Sequence, residues 1–90
     1  MATIHIRKEH ARGREAARAA VEDIAANLGR SLGIASQWEG DTLRFHHTDA
    51  TGTIVVDETS VTVDAQLGAM LSLFKGSVQS QIMGYLNEKL

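Results

Sequence analysis

The side chains most able to do chemistry in this sequence are four histidines and a set of carboxylates. Two imidazoles on one strand need i, i+2 spacing to bind one metal ion, because only alternate residues share a face. His46 and His47 are adjacent, so they point to opposite faces. His5 and His46 could share a face if their strands were neighbours, and Glu39 or Asp64 would then complete a site. Solvated histidines on an exposed sheet are the commoner arrangement, so we expect no metal and no cofactor.

A carboxylate beside a histidine, such as Asp64 beside His46, is the simplest pair for general acid–base catalysis. Catalytic groups normally lie in concave pockets, whereas these two belong to strands expected to form a flat face. The sequence contains no nucleophile elbow, phosphate-binding loop or dinucleotide fingerprint. The absence of cysteine also excludes disulfides, thiolate catalysis and cysteine-based zinc sites. We therefore predict that the protein is not an enzyme.

Four arginines near the start of the chain are candidates for contact with anions: Arg7, Arg12, Arg14 and Arg18. They could bind phosphate groups or an anionic surface. The commoner explanation for such residues is a solvated helix face, on which Arg18 and Glu22 form an attractive i, i+4 pair. The formal net charge is −2, and residues 31–66 contain six acidic residues and one basic residue. A dedicated nucleic-acid binder carries a basic face, so we expect no nucleic-acid partner.

The C-terminal section holds more large apolar residues than one helical stripe needs. A main row recurs at steps of three and four: Leu67, Leu71, Phe74, Val78, Ile82, Leu86 and Leu90. Further apolar side chains lie beside this row, and methionine adapts its shape to irregular partners. Core packing, a dimer interface and contact with an apolar surface all remain open for them. The candidates for an apolar surface or interface are Met70, Leu73, Phe74, Met83 and Tyr85.

Hydrophobic periodicity predicts the elements that position these side chains. Residues 3–7 alternate apolar and polar types, which indicates a short strand. The next segment is helical, because one face collects Ala17, Val21, Ile24, Leu28 and Leu32. Gly13 is expected as its N-cap and Gly33 as the left-handed residue after its end.

From residue 34 to 67 the period changes to two, which predicts four strands over 34–39, 43–46, 53–56 and 61–67. The strands are separated by turns at Gly40–Asp41, at 49–52 and at 57–60, so they should form an antiparallel meander. The chain then returns to helical spacing. Gly76 is expected to divide this last section into a short helix and a longer one over 77–90.

These elements predict one α+β domain over residues 1–90: strand, helix, four-strand meander, helix. With 43% hydrophobic and 22% charged residues, the chain has a globular composition. The simplest way to bury every apolar stripe is a single antiparallel sheet with two helices packed on one face. The open face would carry His5, Arg44, His46 and Asp64. No segment is apolar enough to be a transmembrane helix or a signal peptide, so we expect a cytoplasmic protein.

Over nearly its whole length the chain resembles a family of small bacterial proteins, the polyhydroxyalkanoic acid system proteins. The resemblance is carried by residues 4–10, the alanine-rich helix ending at Leu28, and residues 38–45 and 52–56. It continues through Leu67-Gly68 and Phe74-Lys75-Gly76. It implies an association with bacterial polyester storage. The family has no assigned catalytic residues, so the resemblance identifies no site residue in this chain.

The resemblance and the surplus apolar residues together suggest one function. A polyester granule presents an apolar surface, and a small domain with a wide apolar helix face could coat it. We therefore expect a non-enzymatic protein that contacts the granule surface or a granule protein. One alternative is a homodimeric or partner-binding module that uses the C-terminal helices or an open sheet edge. Another is a carrier that holds a small hydrophobic ligand between the sheet and the helices.

Overall fold

A computed structural model describes residues 2–90, apart from the side chain of Leu32. Five strands and three helices follow one another along the chain. In order they are β1 (Ala2–Glu9), α1 (Arg14–Leu32), β2 (Ala35–Glu39), β3 (Thr42–His47), β4 (Ala50–Val56), β5 (Ser60–Leu67), α2 (Ala69–Ser72) and α3 (Lys75–Lys89).

The strands form one antiparallel sheet in the order β1-β5-β4-β3-β2. The last four strands are a meander, and β1 pairs with β5 at the far edge. Helix α1 therefore connects the two edges of the sheet. This arrangement confirms the predicted α+β fold with a single antiparallel sheet.

The hydrophobic core lies between one face of the sheet and the helices. Helix α1 contributes the stripe that its periodicity predicted, from Ala17 through Val21 and Ile24 to Leu28. The side chain of Leu32, the last member of that stripe, lies outside the described residues. Helix α3 contributes Ile82 and Leu86. These side chains meet the inward-facing residues of the strands, among them Ile4, Leu43, Ile54, Val61 and Val63.

Glycine sets both ends of α1. Gly13 precedes the helix with a φ of 84°, and Gly33 ends it in the left-handed region with a φ of 68°. The N–H of Gly33 donates to the carbonyl of Gly29 at 3.0 Å, which satisfies one of the last free carbonyls. Gly40 has a φ of 62° at the first position of the β2–β3 turn, as is typical of a type II′ hairpin. All three positions were predicted to be caps or turn residues.

Two sequence predictions about boundaries are wrong. The turn expected at 49–52 is confined to Thr48 and Asp49, and β4 already begins at Ala50. Gly52 is a strand residue paired with Phe45, not a turn residue. The break expected at Gly76 occurs earlier, at Leu73 and Phe74, so that the C-terminal section forms α2 and α3.

Helices α1 and α3 lie side by side on the inner face of the sheet and are joined by an ion pair. The ammonium group of Lys89 is 2.9 Å from the carboxylate of Asp23. The hydrogen bond and the negative charge of Asp23 raise the pKa of Lys89 above 10.5. A raised lysine pKa means that this pair contributes to stability at neutral pH and loses its contribution as the pH rises through the raised pKa of Lys89.

Candidate functional site

Three large apolar side chains project into solvent at the junction of α2 and α3. Met70 is 69% exposed, Leu73 80% and Phe74 58%. Met70 lies in α2, and Leu73 and Phe74 form the turn between α2 and α3, so the three side chains lie within five residues of one another. Exposed apolar side chains grouped in this way are candidates for contact with another molecule or surface. We call Met70, Leu73 and Phe74 the apolar cluster.

The backbone of this segment determines which side chains face outward. Leu73 N–H donates to the Met70 carbonyl at 3.3 Å, and Phe74 N–H donates to the Leu71 carbonyl at 2.9 Å. These tight turns are of the 3₁₀ type and join α2 to α3. Leu71 packs against the core. Leu71 therefore lies on the inward side of this segment, whereas Met70, Leu73 and Phe74 are exposed.

Asp49, in the turn between β3 and β4, fixes the start of α2. Its carboxylate accepts a hydrogen bond from Leu71 N–H at 2.5 Å, and its carbonyl accepts one from Gly68 N–H at 2.7 Å. Its own N–H donates to Nδ1 of His47 at 3.3 Å. Ser72 Oγ–H donates to the Gly68 carbonyl at 2.6 Å. Asp49 thus acts as a helix cap from a distant part of the chain.

Replacing Asp49 by alanine is expected to loosen α2 without unfolding the sheet. The variant loses the side-chain acceptor for Leu71 N–H, so the free energy of unfolding should fall by about 1–2 kcal/mol. Amide hydrogen exchange should accelerate for Leu71 and Ser72 more than for β4 and β5. Uniform acceleration across the whole domain would contradict a local role. Asp57→Ala, which removes an exposed carboxylate from the next turn, is the matched control.

Two other apolar candidates lie apart from the cluster. Met83, on α3, is 39% exposed. It follows Phe74 by nine residues, or about two and a half helical turns, and so projects from the opposite side of the helix. Tyr85 is half-buried and packs against the core. The apolar cluster therefore consists of three of the five candidate residues.

The candidate anion-binding arginines do not form one free basic patch. Arg7 pairs with Glu9 on the outer face of β1, at 3.0 Å. Arg14 and Arg18 lie 3.4 and 4.0 Å from the carboxylate of Asp41. The Arg18 guanidinium also stacks on the Trp38 ring, 4.3 Å from its centroid. These contacts hold the start of α1 against the β2–β3 hairpin.

Arg12 is the fourth of the candidate arginines. Its Nε–H donates to the carbonyl of Leu90 at 3.4 Å. The groove that Arg12, Arg14 and Arg18 line also contains the acidic residues Glu15, Asp41 and Glu58, which offset their charge.

The outer face of the sheet is polar, and its charged groups pair with one another. His5 Nδ1 is 2.5 Å from the carboxylate of Asp64, directly opposite on β5. Arg44 forms an ion pair with Glu39 on β2. The register places His5, Asp64 and Arg44 in one row with Thr53 and Gln37, whereas His46 lies in the next row with Thr51 and Gln66.

This arrangement keeps apart the two pairs considered in the sequence, His5 with His46 and His46 with Asp64. The histidine–carboxylate pair that it does form, His5 with Asp64, is open to solvent. His5 and His46 are three strands apart, roughly 14 Å at the usual strand spacing. Strand β4 separates His46 from Asp64. Within residues 2–90, no three His, Asp or Glu side chains are grouped closely enough to hold a metal ion. Shallow depressions cross the outer face, lined by residues such as Arg44, His46 and Thr51.

The space between sheet and helices is nearly filled. An apolar cavity of about 40 Å³ remains, with Ile24, Leu28, Ile54, Ile82 and Leu86 among its lining residues. Pockets for drug-sized ligands have volumes of about 300 Å³ or more. Among the described residues, this cavity is too small for a ligand of that size.

Sequence reasoning did not identify Asp49 as a positioning residue. Its partner, Leu71, is 22 residues away in the chain. An aspartate in a short turn is so common that its type alone carries no such signal. The Glu39–Arg44 pair was easier to predict from the sequence, because the predicted hairpin turn makes these two residues diagonal neighbours across two strands.

Comparison with known proteins identifies a family. No helix among the described residues is long and apolar enough to cross a membrane. Neither the proteins with curated descriptions nor the solved structures gave a match. The model of one protein family, described as "Putative polyhydroxyalkanoic acid system protein", matches residues 4–90. The match covers nearly all of the sheet and helices described above, and the chain therefore belongs to the family of polyhydroxyalkanoic acid system proteins.

Proposed function

We propose that this protein is a non-enzymatic component of a polyhydroxyalkanoate system and contacts the polyester granule through the apolar cluster. The exposure of Met70, Leu73 and Phe74 is the observation that carries the proposal. Membership of the family supplies the kind of surface, because a polyhydroxyalkanoate granule is a water-insoluble polyester. Apolar side chains that dock on such a surface leave water. The gain in free energy is about 25 cal/mol per Å² of apolar area buried.

The geometry of the cluster suits a surface better than a deep groove. The three side chains project from one short helical stretch and need no matching cavity. Leu71 and Asp49 hold this stretch on the domain, so little conformational entropy is lost when it docks. Lys75 follows immediately and is exposed, so a charged group borders the apolar side chains. Such a border keeps the rest of the domain in water, as in interfacial amphipathic helices.

The absence of enzymatic activity is part of the proposal. It is supported by the outer sheet face, where His5 pairs with Asp64 and Arg44 pairs with Glu39. His5 and Asp64 are both more than half exposed, at 68% and 54% of their side chains. A group in open water gains little from the preorganised, water-excluding environment on which catalysis depends.

An interaction module that forms homodimers or binds a partner protein is the second candidate function. The open edge of the sheet at β2 favours it, because edge strands readily pair with another strand. Light scattering on the purified protein at several concentrations distinguishes this candidate from a monomer that binds surfaces. A carrier of small hydrophobic ligands would need a larger cavity than the core contains.

Co-sedimentation with artificial polyhydroxyalkanoate particles tests the granule proposal. Wild-type protein should bind, and binding should persist at high salt, because apolar contacts are not screened. Leu73→Ser should weaken binding about tenfold, and a Met70→Ser, Leu73→Ser double variant should weaken it further. Binding that disappears at high salt would instead point to Arg7, Arg12, Arg14 and Arg18. No binding at either salt concentration would overturn direct contact with the granule.

Met83→Ser is the matched control for this experiment. It removes a large apolar side chain from the same helical region, but from the opposite side of α3. We expect the Met83→Ser variant to bind as the wild type does. Equal losses for Met83→Ser and Leu73→Ser would indicate general stickiness, not a defined cluster. Circular dichroism at the assay temperature should show that every variant is folded.

A further inference from the structure

Strand β2 forms an edge of the sheet that lacks the usual protection against pairing. Four of its five residues, Ala35 to Trp38, are uncharged, and Glu39 is the exception. Natural edge strands are commonly protected by lysines, prolines, bulges or inward-pointing charges. The opposite edge, β1, has such protection in the consecutive charged residues Arg7, Lys8 and Glu9. The two edges of this sheet therefore differ in their capacity to pair.

The hydrogen-bond pattern shows which backbone groups of β2 point outward. Val56 N–H donates to the Asp41 carbonyl at 2.9 Å, so odd-numbered residues at this end of β3 bond to β4. Even-numbered residues such as Thr42 then bond to β2, and Thr42 pairs with Glu39. By alternation, Gln37 and Ala35 also bond to β3. The N–H and C=O groups of Ser36 and Trp38 therefore lie along the open edge.

We propose that β2 pairs antiparallel with β2 of a second copy of this chain, with the two-fold axis at Gln37. In this register Ser36 of one copy faces Trp38 of the other, and Gln37 faces Gln37. Each Ser36–Trp38 pair exchanges two backbone hydrogen bonds, which gives four in all. The two sheets become one continuous sheet of ten strands. This proposal rests on the second candidate function and gives the homodimer its interface.

The register is self-complementary in size and in charge. The large Trp38 lies opposite the small Ser36, and Glu39 lies opposite Ala35 of the partner subunit. No like charges oppose each other. That alanine is paired with the partner's His46 on the neighbouring strand β3. Shifting the pairing by one residue would oppose outward and inward backbone groups. Shifting it by two would pair Ser36 with Ser36, or Trp38 with Trp38, of the second copy. The other outward residue would then have no partner within β2 of that copy. The register with the two-fold axis at Gln37 pairs the outward N–H and C=O groups of both Ser36 and Trp38.

Charge substitution at Gln37 tests the proposal by the oligomeric state. Sedimentation from about 10 µM to about 1 mM should show a dimer of the wild type. Gln37→Glu sits beside Arg44 within its own chain, so the fold is preserved. At the two-fold axis, however, it places two like charges opposite each other, and the dissociation constant should rise about fivefold or more. Gln37→Lys should act in the same direction, and mixing the two variants should restore the dimer.

Two further variants separate this edge from the rest of the surface. Gln66→Glu adds the same charge to the same face, but on the interior strand β5, and should leave the dimer intact. Ser36→Pro removes an outward N–H and should raise the dissociation constant about thirtyfold, whereas Ser36→Ala should not. A monomeric wild type at every concentration overturns the proposal, as does a dimer that survives Ser36→Pro. These sedimentation experiments contain no polyester particles, so their outcome does not decide the granule proposal.

Discussion

Gly52→Ala is expected to destabilise the protein by about 3 kcal/mol or more, although it adds a single methyl group. A Cβ at this position would lie 2.6 Å from Cζ of Phe45 and 2.9 Å from Cα of Ala65, and closer still to the carbonyl oxygen of Asp64. Phe45 could rotate away, but the two backbone atoms belong to the neighbouring strand β5. The clash can be relieved only by separating β4 from β5 at the centre of the sheet.

Thermal unfolding provides the measurement. For a domain of this size, 1 kcal/mol corresponds to about 4–8 °C, so the Tm should fall by at least about 12 °C. Gly84→Ala is the matched control, because a Cβ there would meet nothing within 4 Å. Gly84 lies inside α3, where alanine is the better helix former, so this variant should gain about 0.5–1 kcal/mol. Equal effects from the two variants would show that the close contact at Gly52 is unimportant.

Gly52 also shows where prediction from the sequence reached its limit. Residues 49–52 were predicted to be a turn, because an aspartate and a glycine so close together are typical of turns. In the structure the glycine is a strand residue under the ring of Phe45, its cross-strand partner. Its role depends on a pairing between residues seven positions apart and on β5 behind them. Local sequence cannot distinguish a glycine required by packing from one required by a turn.

Local periodicity did predict the elements that carry the core. The stripe from Ala17 to Leu28, the caps at Gly13 and Gly33, and the hairpin at Gly40 all depend on neighbours within a few residues. The position of β1 beside β5 does not depend on such neighbours. It pairs His5 with Asp64, residues 59 apart, after the chain has crossed the sheet through α1. Strand order is decided by this long-range closure, which leaves no pattern in either strand.

The candidate site was predicted in composition but not in geometry. The surplus of apolar residues in the C-terminal section identified Met70, Leu73 and Phe74 together with Met83 and Tyr85. The structure separates them, because Met83 lies further along α3 and Tyr85 packs against the core. The helix also breaks at Leu73 and Phe74 and not at Gly76, and no helical periodicity encodes the contacts that Asp49 and Ser72 make with the start of α2. Exposure of the cluster is thus a tertiary property.

Leu86→Ala is expected to have the second large effect and to act on the candidate site from a distance. Leu86 is 1% exposed and, with Ile82, anchors α3 to the core. Its side chain already borders the apolar cavity of about 40 Å³, so truncation enlarges an existing void. Leucine-to-alanine substitutions in cores cost about 3–5 kcal/mol, and the cost rises with the volume left empty. We therefore expect a loss near the upper end of that range.

The Leu86→Ala substitution should lower the stability of some parts of the molecule more than that of others. Strands β1, β5, β4 and β3 keep their ladders and the stripe of α1, whereas α3 keeps only one buried anchor, Ile82. Hydrogen exchange should therefore accelerate in α2 and α3 before it does in β5, and binding to polyester particles should weaken although the apolar cluster is unchanged. Ile82→Val, which removes one methyl group, should cost only about 0.5–1.5 kcal/mol and leave binding intact. Uniform exchange in the Leu86→Ala variant would instead mean that sheet and helices unfold as one unit, and that α3 does not position the cluster independently.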